Sequence, residues 1–195
     1  MKIILTIFAV IIVLFLITQI FAWKSQSGIE TYPYTVARIY ENFEIRNYEA
    51  RLFTTVKLPT SEYDKGSSQG FSILAGYIFG NNAKNEKIAM TSPVAMSMDD
   101  RMTMMFMVPK EYNKETLPQP AQSAIKFVQE PARTVAAITF GGWSNDAKIQ
   151  TYKNKLISEL DDKGIAYTNR FFVLGYNAPY EVFNRKNEII VELGK

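Results

Sequence analysis

Six methionines between Met96 and Met107 are the side chains of this sequence best suited to ligand chemistry. Thioethers are soft ligands that favour Cu(I). In a β-strand, however, successive side chains point to opposite faces, so these sulfurs would be divided between two surfaces. Methionine also fills irregular hydrophobic cores well. We therefore interpret the cluster as core packing, with copper binding as an alternative.

Residues that support nucleophilic or acid–base catalysis are scarce. The sequence contains no histidine and no cysteine, which excludes Ser–His and Cys–His hydrolysis and zinc sites built on imidazole. The neighbouring pairs Tyr48-Glu49 and Glu62-Tyr63 would face opposite ways in a strand, and Asp99-Asp100 suits a solvated turn. No nucleophile–base pair follows from the sequence, and we do not predict an enzyme.

The charge balance argues against nucleic acid as a partner. The chain carries 22 Lys and Arg against 19 Asp and Glu, a net charge of +3. Proteins that neutralise a phosphate backbone need a clear basic excess. The 47% share of hydrophobic residues excludes a disordered chain and is sufficient for a full core.

An apolar segment opens the chain from Ile3 to Ala22, twenty residues without a charge. As a helix it would be about 30 Å long, which matches the hydrocarbon core of a bilayer. Residues 1–24 are therefore predicted to form a single-pass membrane anchor. Residues 25–33, which are polar and end at Pro33, are predicted to be a tether.

A cleaved signal peptide is the alternative for this segment. The candidate cut follows Ala22, but Ile20 stands where such sites usually have a small residue. Lys2 favours an N-terminus left in the cytoplasm, so the domain is expected on the extracytoplasmic side of the membrane. After cleavage it would be secreted or periplasmic.

The first half of the remaining chain shows two periodicities. Apolar and polar residues alternate over 36–40 and 43–58, which predicts strands with a turn at Asn47–Ala50. From Ser67 the apolar residues follow helical spacing and predict a helix that stops at Gly80. Met96 to Met107 then predicts a hairpin that turns at Asp99-Asp100.

The second half repeats this order. Strands are predicted over 124–129 and 134–140, a helix from Ser144 to Gly164, and strands over 171–176 and 188–193. Each half therefore reads strand, strand, helix, strand, strand, which suggests a duplicated architecture. The prediction is an α+β domain over residues 34–195, in which the strands form a distorted antiparallel β-barrel flanked by two helices.

Between the first helix and the hairpin lies Lys87 to Val94, predicted to be an ordered crossing. Pro93 fixes the backbone, and Thr91 and Ser92 can bond to neighbouring backbone groups. Met90 is expected to be buried beneath it.

Several motifs together resemble the SOUL heme-binding family, in order over roughly residues 34–193. They are Gly70-Phe71, Tyr77-Ile78-Phe79-Gly80-Asn81-Asn82, Lys87-Ile88-Ala89-Met90-Thr91-Ser92-Pro93-Val94, Met105-Phe106-Met107-Val108-Pro109, Gly175-Tyr176-Asn177-Ala178-Pro179-Tyr180 and Arg185-Lys186-Asn187-Glu188. The resemblance implies a distorted β-barrel flanked by two helices, related to gyrase-inhibitor-like ligand-binding domains. It also implies an association with heme or another tetrapyrrole.

Because the chain has no histidine, any heme would be held by apolar contact, by Lys or Arg at its propionates, or by a Met or Tyr ligand to iron. The family's groove is placed at the first helix, which implies a site at Ile73, Gly76, Tyr77, Lys84 and Lys87. Tyr77 would stack on the macrocycle, and a lysine would meet the propionates. The sequence thus predicts a membrane-anchored tetrapyrrole carrier, buffer or sensor. The alternative is a ligand-free interaction or envelope-structure module on the same fold.

Overall fold

The structure is a computed structural model that describes residues 2–26 and 28–194. Residues 1, 27 and 195, which belong to the predicted anchor, tether and domain, lie outside the described residues. The elements in chain order are α1 (Lys2–Gln26), β1 (Glu30–Thr31), β2 (Tyr34–Ile39), β3 (Glu44–Tyr48), β4 (Arg51–Lys57), α2 (Tyr63–Ile78), β5 (Thr91–Ser92), β6 (Val94–Ser97), β7 (Thr103–Met107), β8 (Ile125–Glu130), β9 (Arg133–Gly141), α3 (Asp146–Asp162), β10 (Tyr167–Gly175) and β11 (Lys186–Leu193).

Nine of the strands form one antiparallel sheet in the order β2-β3-β9-β11-β10-β6-β7-β4-β8. Its midline is the β6–β10 pair, where Ala95 lies opposite Leu174. On one side of the midline come β6, β7 and β4, and on the other β10, β11 and β9. The predicted duplication of architecture therefore agrees with the strand order, because three strands of each half follow one another on either side of the midline.

Two strands, β3 and β8, each pair with a strand of the other half. β3 pairs with β9 of the second half, and β8 pairs with β4 of the first. Tyr48 lies opposite Arg133 and Arg51 opposite Glu130, so the predicted turn at Asn47–Ala50 does not close a hairpin. The predicted break between the two strands is confirmed, since β3 ends at Tyr48 and β4 begins at Arg51, but periodicity does not identify the partner of a strand.

The α+β class is confirmed, and the predicted distorted β-barrel is confirmed only in part. β2 and β8 are the two ends of the sheet and do not pair with each other. The right-handed twist of neighbouring strands curls such a sheet without closing it. The result is a curled half-barrel whose end strands remain open.

Both helices that follow the N-terminal one pack on the same sheet, α2 against β4 and β7 and α3 against β9 and β11. Strand alternation divides the methionines as predicted. Met104 and Phe106 contact the α2 side, whereas Met105 and Met107 lie in the core on the opposite face. Five of the six methionines are buried and Met98 is half-buried, which confirms core packing.

Two connections differ from the sequence prediction. In the predicted tether, Glu30 and Thr31 pair in parallel with Thr91 and Ser92, and Tyr32 is buried. The pairing fixes the Lys87–Val94 crossing from one side, and the Thr91 hydroxyl donates to the Met107 carbonyl at 2.7 Å. The crossing is therefore ordered, although Met90 is half-buried rather than buried.

α1 covers the predicted anchor as one helix of 25 residues. Its apolar side chains from Ile3 to Ile17 are exposed wherever they are described. Among the described residues, we find no helix whose length and apolarity meet the requirements of a membrane span. The predicted transmembrane helix is thus not supported by the structure.

Candidate functional site: a cleft beside α2

Two glycines let the N-terminal half of α2 lie unusually close to the sheet. A Cβ atom on Gly70 would lie 3.0 Å from Cβ of Met104, and one on Gly66 would lie 3.2 Å from Cε of Met96. Both distances are tighter than ordinary van der Waals contact. The helix is therefore held directly over the central strands β6 and β7.

The N-termini of α2 and α3 meet and cap each other. The backbone N–H groups of Tyr63 and Asp64 donate to the Asp146 carboxylate at 2.6 and 3.1 Å. In return, the N–H of Asp146 faces a carboxylate oxygen of Asp64 at 3.4 Å. Because the N-cap residue of α2, Glu62, makes no side-chain cap bond, Asp146 supplies the cap from the other helix.

The mutual caps explain why α2 begins at Tyr63 and not at the predicted Ser67. The acceptor that satisfies the first turn lies 83 residues away in the sequence. α3 carries its own cap as well, since the Asn145 side chain accepts from the N–H of Lys148 at 2.8 Å. The two helix ends therefore join the halves of the domain at one end of a cleft.

The cleft has a volume of about 460 Å³ and lies over the midline of the sheet. Volumes of 300–1,000 Å³ are typical of small-molecule sites. Its floor is apolar and consists of Val94, Met96, Met104 and Val173. Polar and aromatic side chains form the walls: Tyr63, Asp64, Ser67, Ser68, Phe71 and Ser72 from α2, and Trp143, Ser144, Asn177, Pro179, Arg185 and Asn187 from the facing loops.

Arg185 is the cation of this lining. Its guanidinium carbon lies 3.9 Å from the centroid of the Trp143 ring, and Nη1 donates to the carbonyls of Ala178 and Glu181. Within the described residues its buried Nε has no hydrogen-bond partner. Burial lowers the pKa of Arg185, although Glu181 and Tyr63 act in the opposite direction. One donor of a partly desolvated cation thus remains unsatisfied beside the cleft.

The remaining wall residues keep the cleft largely neutral. Burial raises the pKa of Tyr63, and the opposing effects of Ser144 and Arg185 do not cancel it, so the phenol stays protonated at neutral pH. Asp64 is the carboxylate of the lining, and its oxygen faces the N-terminus of α3. An apolar floor, aromatic walls and one cation together suit a flat apolar molecule that carries a carboxylate.

The sequence pattern of the SOUL heme-binding protein family matches residues 29–192. The chain belongs to the SOUL heme-binding protein family. Heme-binding protein 2 of Mus musculus is 26% identical over 177 residues, which cover 86% of this chain and 82% of that protein. Heme-binding protein 2 of Homo sapiens is 28% identical over 157 residues, 76% of each chain. The C-terminal domain of EcmrR shares the fold, with a TM-score of 0.62 at 12% identity over 83% of this chain and 98% of that domain.

The site that the SOUL resemblance implied lies on the other side of α2. Tyr77 is 1% exposed, and its hydroxyl donates to the Pro118 carbonyl at 2.8 Å. The cavity beside Tyr77 holds only about 10 Å³. The ring therefore presents no exposed face on which a macrocycle could stack. Burial raises the pKa of Tyr77 to about 12.

The other four implied residues do not converge on one cleft either. Ile73 packs half-buried against the same core as Tyr77, and a Cβ on Gly76 would meet no atom within 4 Å. Lys84 bonds to the Thr116 carbonyl at 3.4 Å, and Lys87 is exposed. Residues 64, 67, 68 and 71 form the cleft face of α2, and helical spacing puts 73 and 77 on the opposite face.

The Arg185–Glu188 motif of the SOUL family divides between two faces of the sheet. Arg185 borders the cleft, but Glu188 is fully buried on the far side and accepts both terminal guanidinium nitrogens of Arg46 at 2.8 and 3.0 Å. The Tyr176 hydroxyl donates to the same carboxylate at 2.6 Å. Because successive strand residues point to opposite faces, Arg185 and Glu188 do not form a charge pair.

A fit of heme to this SOUL cleft would depend on apolar contacts with the floor and on the positive charge of Arg185. Apolar floor residues can cover a macrocycle, and Arg185 can meet a propionate. For the iron, the lining offers the phenol of Tyr63 and the thioethers of Met96 and Met104. Within the described residues, no group of three or more Asp and Glu side chains is arranged to hold a metal ion.

Proposed function

We propose that this SOUL domain binds heme or a related tetrapyrrole non-covalently in the cleft between α2 and the loops that follow β9 and β10, as a carrier, buffer or sensor. Support comes from the family, whose mouse and human relatives are named heme-binding proteins. The observation that carries the proposal for this cleft is Arg185, a partly desolvated cation beside an apolar floor, whose Nε has no hydrogen-bond partner among the residues that the structure describes.

Each part of the cleft has a defined role in this proposal. The floor residues Val94 and Val173 would cover the macrocycle and exclude water, while Phe71 would contact its edge. Arg185, held against Trp143, would meet a propionate without first being ordered, which reduces the entropic cost of binding. Bound heme would supply a redox-active iron. Tyr63 would present a neutral hydroxyl to the ligand.

Hemin titration of the purified full chain in mild detergent tests the proposal. We expect a saturable Soret shift at micromolar hemin. Arg185→Gln should weaken binding by about 10- to 100-fold, the value of one charge-assisted hydrogen bond. Lys87→Gln removes the same charge from an exposed position outside the cleft and should leave the affinity unchanged.

Two results would contradict the proposal. If wild-type protein gives no saturable Soret shift, the domain is not a heme binder. If Lys87→Gln weakens binding while Arg185→Gln does not, the ligand lies on the other face of α2.

A ligand-free interaction or envelope-structure module is the second candidate. The observation that favours it is the filled core around Tyr77, where the cavity holds only about 10 Å³. Absence of a Soret shift would support this candidate. The extracytoplasmic location of the domain stays a prediction, which protease accessibility in intact and permeabilised cells can test.

A further inference from the structure

Four large apolar side chains are exposed beside the mouth of the cleft. Trp143 is 55% exposed, Tyr180 59%, Val182 44% and Phe183 59%. We refer to these four residues as the apolar rim. Trp143 itself lines the cleft, and the other three lie between the lining residues Pro179 and Arg185 in the sequence. The rim is thus continuous with the proposed ligand site.

The rim is held in place by Arg185. Its guanidinium stacks on the Trp143 ring at 3.9 Å and donates to the carbonyls of Ala178 and Glu181. These contacts connect the loop after β9 to the loop between β10 and β11. The exposed apolar side chains therefore lie on an ordered surface. Contiguous exposed apolar patches of this kind commonly mark interaction sites.

α1 extends the same apolar surface. The Gln19 amide donates to the Tyr180 carbonyl at 3.3 Å, and its oxygen accepts from the N–H of Val182 at 3.3 Å. Toward the N-terminus, Ile3, Ile4 and Leu5 are 76%, 73% and 63% exposed. Successive helical residues point about 100° apart, so these three exposed apolar side chains lie on different sides of α1.

The chemistry of the partner follows from this arrangement. A protein groove would cover one stripe of such a helix and leave the others in water. A lipid phase covers every side. Aromatic side chains such as those of the rim are favoured at the boundary between lipid and water.

We propose that the apolar rim contacts the surface of a lipid bilayer, so that the cleft opens toward lipid and exchanges its ligand directly with the membrane. The proposed lipid contact is based only on the exposed residues of the apolar rim and of α1. The ligand exchange rests on the function proposed above.

Fluorescence quenching tests the lipid contact without any heme. Trp143 is one of two tryptophans, so a Trp23→Phe chain reports on the rim alone. In vesicles of phosphatidylcholine and phosphatidylglycerol that contain doxyl-labelled lipid, we expect quenching of Trp143 and protection from aqueous iodide. Quenching by iodide without quenching by doxyl lipid would overturn the proposal.

Rim variants in the same background give the matched comparison. The double variant Tyr180→Ser, Phe183→Ser should lose most of the doxyl quenching. Phe79→Ser changes an equally exposed aromatic residue, 62% exposed at the end of α2, and should behave as the parent chain. Equal quenching in the rim variant and the parent would contradict a role of the rim.

Hemin transfer tests the exchange. Transfer from preloaded vesicles should be about tenfold or more slower for the rim variant, because the apolar contact of two side chains is lost. Its affinity for hemin in detergent should be unchanged, since neither residue lines the cleft. An unchanged transfer rate would refute direct exchange. Absence of hemin binding in detergent would instead refute the proposed function and leave the quenching result standing.

Discussion

Replacing Asp146 by alanine should weaken the junction between the two halves of the domain. The carboxylate accepts two N–H bonds from the first turn of α2, at 2.6 and 3.1 Å, and it lies in the first turn of α3. Loss of a helix N-cap costs about 0.5–2 kcal/mol, and loss of a negative charge near a helix N-terminus about 0.3–1 kcal/mol. Repulsion from the Asp64 carboxylate offsets part of this. We therefore expect a loss of about 1–2 kcal/mol in the free energy of unfolding.

Thermal unfolding of the full chain, followed by circular dichroism in mild detergent, measures this effect. For a domain of this size the midpoint should fall by about 2–8 °C. Asp64→Ala, which removes a single acceptor at 3.4 Å, should cost less. Asp162→Ala at the C-terminal end of α3 is the matched control and should be near neutral. The reasoning is refuted if Asp146→Ala costs less than about 0.5 kcal/mol, the range of ordinary surface substitutions, or no more than Asp162→Ala.

Three further predictions concern packing, the buried charge and the implied site. Gly70→Ala should lower the free energy of unfolding, measured by urea titration, by about 1–3 kcal/mol, because its Cβ would lie 3.0 Å from a core side chain. Gly76→Ala, whose Cβ would meet open space, should be neutral or stabilising. Equal effects of the two substitutions would contradict the close approach of α2. Arg46→Met should cost about 3 kcal/mol because the buried Glu188 carboxylate loses both guanidinium bonds and keeps Lys186 as its cation, and adding Glu188→Leu should restore stability. Burial would raise the pKa of Glu188, but the bonds that the carboxylate accepts hold this pKa below its usual value. The free energy of unfolding of the wild-type protein should therefore decrease as the pH falls below about 4.3, and that of the double variant should decrease less. Identical pH profiles of the two proteins would count against this account. Tyr77→Phe should lower the free energy of unfolding by about 1 kcal/mol, because one hydrogen bond is lost, and should leave the affinity for hemin unchanged. A reduced hemin affinity in the Soret titration would indicate that the ligand binds on the Tyr77 face of α2.

The location of strands and helices was largely predictable from local patterns. Alternation identified the hairpin of β6 and β7 with its turn near Asp99-Asp100, and it assigned Met104 and Met105 to opposite faces. These features depend on residues a few positions apart, whose side-chain directions follow from strand or helix geometry. The stop of α2 at Gly80, where φ is +115°, was equally local.

The partners of those elements could not be predicted in the same way. β3 and β4 are separated by two residues but pair with β9 and β8, because an alternating pattern identifies the buried face of a strand and not the neighbour at its edge. The start of α2 was missed for a similar reason. Its capping carboxylate belongs to Asp146, far away in the sequence, and no local motif precedes Tyr63.

The candidate site shows the same division. The sequence by itself determined that no histidine or cysteine can act, that the domain belongs to the α+β class, and that α2 has two distinct faces. Only the tertiary structure decided which of those faces borders a cleft. The loop around Pro118 covers Tyr77, while Gly66 and Gly70 bring the opposite face over the sheet midline beside Arg185. Whether a face is covered depends on contacts between residues distant in sequence, and helical periodicity carries no information about them.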